Sequence, residues 1–124
     1  MRGGRRGPAR PDARPQPLTP PGLADIAEIC ATPGLDGVYV GPSDLRIAVG
    51  GAFPGDPAVA EQFEAALTTI RETAANTGIA AGIHTSAGED AARRLGDGYT
   101  FATVASDLTH LEQIVAAHLA AARA

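Results

Sequence analysis

Three polar clusters in this sequence each follow a short apolar run. Gly41-Pro42-Ser43-Asp44 follows Val38-Tyr39-Val40, His84-Thr85-Ser86 follows Ile79-Ala80-Ala81-Gly82-Ile83, and Ala105-Ser106-Asp107 follows Tyr99 to Val104. Their residue types can bind ligands. The backbone N–H groups of Ser43 and Asp44 open a turn after Gly41-Pro42, and such groups take anions, carboxylates included. The Asp44 carboxylate suits a hard divalent cation, which wants oxygen ligands, and equally suits a helix N-cap. His84 reads either as a satisfied rim histidine or as an acid–base group. Ser86, Ser106 and Asp107 are residue types that cap helices. His110 and His118 stand eight apart, too far for one zinc, and read as surface or interface residues. There is no nucleophile elbow, glycine-rich phosphate loop or zinc spacing.

The elements that must position these clusters are legible in the hydrophobic pattern. Leu23, Ile26, Ala27 and Cys30 have helical spacing, with Pro33-Gly34 as the stop. Cys30 falls on the apolar side as a small core residue. Residues 36–41 read as a buried strand, Pro42-Ser43-Asp44-Leu45 as a turn or short helix, and residues 50–57 as a loop. Val59, Phe63, Leu67, Ile70 and Ala74 share one face of a helix over 58–76, with Asn76 and Gly78 as a left-handed stop. Residues 79–83 form a second strand. Ser86 and Glu89 match a capping box for a helix ending near Gly96. Residues 99–104 form a third strand. Ser106 or Asp107 caps a last helix whose apolar face carries Leu108, Leu111, Val115 and Leu119.

Helices alternating with strands imply α/β architecture with a parallel sheet, and continuously apolar strands imply cover on both faces. Two arrangements fit: a small doubly wound sheet, or part of a (β/α)8 barrel, which needs ~250 residues when complete. In either, ligands gather at the carboxyl ends of the strands, where the three polar clusters fall.

Composition bounds the rest. The chain has 124 residues, 44% hydrophobic and 19% charged, as a soluble domain of ordinary size would. No run of ~18 apolar residues could span a membrane. The one cysteine forms no internal disulfide, so a cytoplasmic setting is expected. Residues 1–22 hold five arginines, one acid and six of the ten prolines, and read as a disordered Arg/Pro/Gly-rich leader. Beyond them five arginines face thirteen acids, and an acidic body argues against nucleic acid as a partner.

The stretch Pro33-Gly34-Leu35-Asp36-Gly37-Val38-Tyr39-Val40-Gly41-Pro42-Ser43-Asp44-Leu45 resembles the signature of the HpcH/HpaI aldolase family. The resemblance continues through Phe53-Pro54-Gly55-Asp56-Pro57, Gly78 to Ile83, and Phe101 to Asp107, covering the chain from Leu23 to Arg123. It implies a (β/α)8 barrel, of which residues 23–124 would supply the C-terminal three or so βα units, the N-terminal strands being missing. It implies reversible cleavage of 4-hydroxy-2-oxo acids to pyruvate or a related 2-oxo acid and an aldehyde. A divalent metal (Mg, Mn or Co) would serve as Lewis acid, stabilising the enolate. By that resemblance Asp44 is a metal ligand, Gly41, Pro42 and Ser43 meet the 2-oxo acid, and His84 lines the substrate pocket. The place of the family's metal-ligating Glu falls at Leu18, and its pyruvate-binding Arg and catalytic His have no counterpart. The chain alone is therefore expected to be weak or inactive. It would associate as a homo-oligomer through its last helix, or as a non-catalytic fragment with a partner that supplies the rest of a barrel.

Overall fold

The structure, a computed structural model, describes residues 20–124. The leader reading over residues 1–19, and the comparison made at Leu18, lie outside the described residues. Ten short elements follow in order: α1 (Pro20–Ala24), α2 (Ile26–Cys30), β1 (Gly37–Val40), α3 (Pro42–Ala48), a 3-10 turn (Pro57–Val59), α4 (Ala60–Thr77), β2 (Ala80–Thr85), α5 (Gly88–Gly96), β3 (Phe101–Val104) and α6 (Asp107–Arg123). The first helix was expected from Leu23. It begins at Pro20, three residues earlier, and breaks at Asp25. Proline fits there because an N–H in the first helical turn has no intrahelical partner to lose.

The three strands form one parallel sheet in the order β1-β2-β3. Strand order equal to chain order sends every crossover the same way, so the helices collect on one face. A doubly wound sheet reverses its strand order and covers both faces. The sequential order is that of a singly wound parallel sheet and is consistent with the second of the two arrangements that the sequence allows.

The covered face supplies the core. Val38, Val40, Ala81 and Ile83 point into it from β1 and β2, and meet Phe63, Leu67, Ile70 and Ala74 of α4. Ile26 and Cys30 of α2 and Leu45 of α3 complete it. Burying each large aliphatic side chain is worth about 1.5–3 kcal/mol, so α4 is the chief clamp on the sheet. The helix stops at Gly78, whose φ of 76° is left-handed. Glycine adopts that conformation without steric cost. Burial pushes the Cys30 thiol pKa up.

The opposite face of the sheet carries Tyr39, Gly82, His84, Phe101 and Thr103, and no helix of the described residues lies on it. β1 therefore buries alternate residues, β2 buries Ala81, Gly82 and Ile83 in a row, and among the described residues the sheet is not covered on both sides. In β3 the pattern is exposed and half-buried by turns. Tyr99, expected inside the third strand, precedes it. It is buried, and its hydroxyl donates to the Leu67 carbonyl at 3.0 Å.

α5 is held through charge. Arg94, 5% exposed, gives Nη1 and Nη2 to the two carboxylate oxygens of Glu64 on α4, at 2.7 and 2.8 Å. The fork geometry satisfies the guanidinium on the face it buries. The capping box expected at Ser86 and Glu89 does not form. The N-cap is Ala87, with no side-chain cap, because β2 runs on to Thr85 and a bend follows before the helix starts at Gly88. Ser106 does cap α6, accepting from the Thr109 N–H at 3.2 Å.

Candidate functional site

The carboxyl ends of β1, β2 and β3 meet along one edge of the sheet. At the end of β1, Gly41 is the N-cap of α3 and Pro42 its first residue. Proline's fixed φ starts the helix, and the Leu45 N–H donates to the Gly41 carbonyl at 2.9 Å. Asp44 lies in the first turn of α3, exposed to solvent, with its carboxylate folded back towards the strand end. A Cβ placed on Gly41 would stand 3.1 Å from Asp44 Oδ2, so the missing side chain makes the space that the carboxylate uses. Ser43 is exposed beside it.

The sheet register brings His84 to the same level. Val40 pairs with Ile83, the last pair of β1 and β2, so the register continued by one residue sets Gly41 beside His84, and His84 pairs with Thr103. Neighbouring strands lie about 4.8 Å apart, so Gly41, His84 and Thr103 form a row roughly 10 Å long. His84 lies within β2 and not after it, as a half-buried residue on the open face. Its Nδ1 is 3.0 Å from Thr103 Oγ1. The same hydroxyl bonds the Tyr39 phenol. Below this row the rings of Tyr39 and Phe101 stack across Gly82.

The loop after α3 is braced from behind. The buried Asp56 carboxylate accepts from the Ala52 N–H at 2.8 Å and the Ala58 N–H at 2.9 Å. These two backbone bonds hold its pKa below the usual carboxylate range, and the Arg46 charge adds to them. Arg46 in turn lies 3.9 Å over the Phe63 ring centroid and donates from Nη1 to the Asp56 carbonyl at 3.0 Å. Two residues along α3 from Asp44, this bracket fixes the helix that carries the carboxylate.

The structure thus brings Gly41, Pro42, Ser43, Asp44 and His84 to one edge. It leaves Ser86 exposed in a bend. His110 sits at the start of α6, its Nε2 3.0 Å from the Val104 carbonyl, and His118 is exposed further along α6. Ala105, after β3, has a φ of 52°, unusual for a residue with a Cβ, and turns the chain into α6. Tyr39, Phe101 and Thr103 were not singled out from the sequence. Their signal is the alternation Gly37/Tyr39, Gly82/His84 and Phe101/Thr103, one face of each strand.

Chemically, the edge offers a carboxylate, an imidazole and a shared hydroxyl to a small oxygen-rich ligand. Among the described residues no group of three or more His, Cys, Asp and Glu side chains could hold a metal ion. Asp44 supplies one carboxylate, so the described residues do not by themselves fit a divalent cation. No helix among them is long and apolar enough to cross a membrane.

A parallel sheet in chain order, helices on one face and polar residues at the strand ends define an α/β protein of the kind that binds ligands at its strand termini. The HpcH/HpaI aldolase/citrate lyase family profile matches residues 19–113, and the chain belongs to that family. It is 38% identical over 102 residues to a hydroxypyruvate/pyruvate aldolase of Rhizorhabdus wittichii, covering 82% of this chain and 40% of that protein. It is 40% identical over 106 residues to a hydroxypyruvate/pyruvate aldolase of Delftia acidovorans, covering 86% of this chain and 38% of that one. A crystal structure of an HpcH/HpaI aldolase/citrate lyase family protein from Burkholderia cenocepacia superposes with a TM-score of 0.77 at 27% identity, over 86% of this chain and 40% of that one. The chain therefore spans about two-fifths of the length of these relatives.

Proposed function

We propose that this chain forms one side of an aldolase site for 4-hydroxy-2-oxo acids, built at the carboxyl ends of its three strands. The carrying observation is the row Gly41–His84–Thr103, with the Asp44 carboxylate folded over its first member. In this reading the strands are consecutive βα units of a (β/α)8 barrel. Asp44 is one oxygen ligand of a divalent cation whose other ligands come from outside the described residues. The backbone about Gly41, Pro42 and Ser43 faces the carboxylate of pyruvate or a related 2-oxo acid, and His84 lines the aldehyde side. Aldolase names among the relatives support the chemistry.

The open sheet face and the unpacked α6 favour association. Leu108, Leu111, Ile114, Val115 and Leu119 of α6 are each about half exposed, and no residue of α6 is buried. The proposed cover for α6 is a second copy of the chain.

Site binding is tested by NMR with Mn²⁺ and oxalate, a pyruvate mimic. At the high Mn²⁺ concentration that a single protein carboxylate requires, paramagnetic broadening should centre on residues 41–45 and His84, and Asp44→Asn should abolish it. Broadening spread over the other acidic residues, or unchanged by Asp44→Asn, would overturn the assignment of Asp44.

A further inference from the structure

One hydroxyl on the open sheet face serves two partners. Thr103 Oγ1 lies 3.0 Å from His84 Nδ1 and also bonds Tyr39 Oη. The three residues sit on three adjacent strands, and His84 and Thr103 are register partners. The contact is therefore fixed by the sheet and not by a loop. Tyr39 is held in turn by its stacking on Phe101, with 10° between the ring planes. Among the described residues His84 Nε2 has no hydrogen-bond partner.

A hydroxyl has one proton to give and two lone pairs to receive. A phenol is the stronger donor of the two hydroxyl types and the weaker acceptor, so Tyr39 donates to Thr103. The Thr103 proton then lies within reach of His84 Nδ1 as acceptor, at 3.0 Å. In a neutral imidazole the nitrogen that accepts leaves the other as N–H. We infer that Thr103 is a positioning residue. It locks His84 into the Nε2–H tautomer, so that the site edge presents a fixed N–H donor to an oxygen atom of the ligand. This rests on the aldolase reading for the identity of that ligand. There the donor would face an aldehyde carbonyl or hydroxyl oxygen and favour an oxygen-bearing acceptor over an alkyl one. The chain Tyr39–Thr103–His84 itself stands on geometry alone.

The test is ¹⁵N NMR of the imidazole in the full chain at mildly alkaline pH. The expected spectrum has a pyridine-type Nδ1 and a pyrrole-type Nε2 for His84. Thr103→Val should move both shifts towards the average of a freely exchanging imidazole, and Thr103→Ser should restore the locked pattern. If Thr103→Val fails to fold, Tyr39→Phe removes the donor and should also loosen the pattern. A protonated Nδ1, or averaged shifts in the unmodified chain, would overturn the inference. So would a locked pattern that survives both Thr103→Val and Tyr39→Phe. The readout needs no turnover and no metal. A failed aldolase reading, seen as Mn²⁺–oxalate broadening that ignores Asp44, leaves the tautomer result standing.

Discussion

The rings of Tyr39 and Phe101 lie 6.0 Å apart and nearly parallel, on either side of Gly82 in the strand between them. The relationship exists because residue 82 has no side chain. A Cβ there would stand 2.1 Å from Phe101 Cζ, far inside van der Waals contact. Gly82→Ala should therefore push Phe101 off the sheet and destabilise the chain by about 1–3 kcal/mol, the usual range for overpacking. Phe101→Ala in the same background should recover part of that loss, since contacting residues couple. Denaturant melts of the two single variants and the double variant measure it. Additive losses would show that the ring is not the obstacle.

The Glu64–Arg94 bridge makes a second prediction, about pH. The Arg94 hydrogen bonds hold the Glu64 pKa down, and Asp56 is held down by its two backbone N–H bonds. A carboxyl whose pKa is lower in the folded state stabilises fully above its unfolded value and loses that contribution as pH falls through the folded one. The ordinary values are 4.5 for Glu64 and 3.8 for Asp56, so stability should be flat near neutrality and fall as pH drops below about 4.5. Glu64→Gln should remove part of that acid sensitivity and cost about 1 kcal/mol at pH 7, a figure kept small because half of the Glu64 side chain faces solvent. Melts between neutral and acid pH test both signs. A stability that rises on acidification would contradict them.

Association is the third prediction. Among the described residues nothing buries the apolar residues of α6, and exposed apolar surface of this kind seeks a partner. Sedimentation velocity should show a dimer or larger species. Leu111→Glu with Leu119→Glu should shift it to monomer without unfolding the sheet, because α6 lies outside the core. A stable monomer of the unmodified chain would count against a second copy as the cover.

How far the sequence alone could lead depended on element length. α4 runs for 18 residues, long enough for Phe63, Leu67, Ile70 and Ala74 to define one face and for Gly78 to mark its end. The Ser106 cap was legible because its acceptor oxygen serves a neighbouring N–H. β1 and β3 have only four residues each, too few for a two-residue period to stand out from an apolar run. The open face was therefore hidden, and with it Tyr39, Phe101 and Thr103. The capping box failed for a long-range reason. The Thr85 hydroxyl donates to the Thr103 carbonyl at 2.9 Å, tying the end of β2 to β3, and the helix starts only after Ala87, so Ser86 is not its N-cap. At the site, Gly41 to Asp44 were legible as a motif, but their alignment with His84 follows from strand register.

The fourth prediction concerns turnover by the 124-residue polypeptide alone. With one carboxylate at the proposed cation site, pyruvate release from a 4-hydroxy-2-oxo acid should be weak or absent. A coupled assay for pyruvate in the presence of Mn²⁺ reads it. Robust release would show that these residues assemble a working site unaided.

The central claim is that these strand ends are one side of an aldolase site, and a chimera tests it most directly. Residues 23–124 would replace the matching segment of the Rhizorhabdus wittichii hydroxypyruvate/pyruvate aldolase, to which the chain is 38% identical. The account predicts a folded chimera that releases pyruvate from a 4-hydroxy-2-oxo acid in a metal-dependent way, and an Asp44→Asn version that melts alike but is inactive. A chimera with the parent's melting behaviour and no pyruvate release, or an Asp44→Asn version as active as its parent, would contradict it.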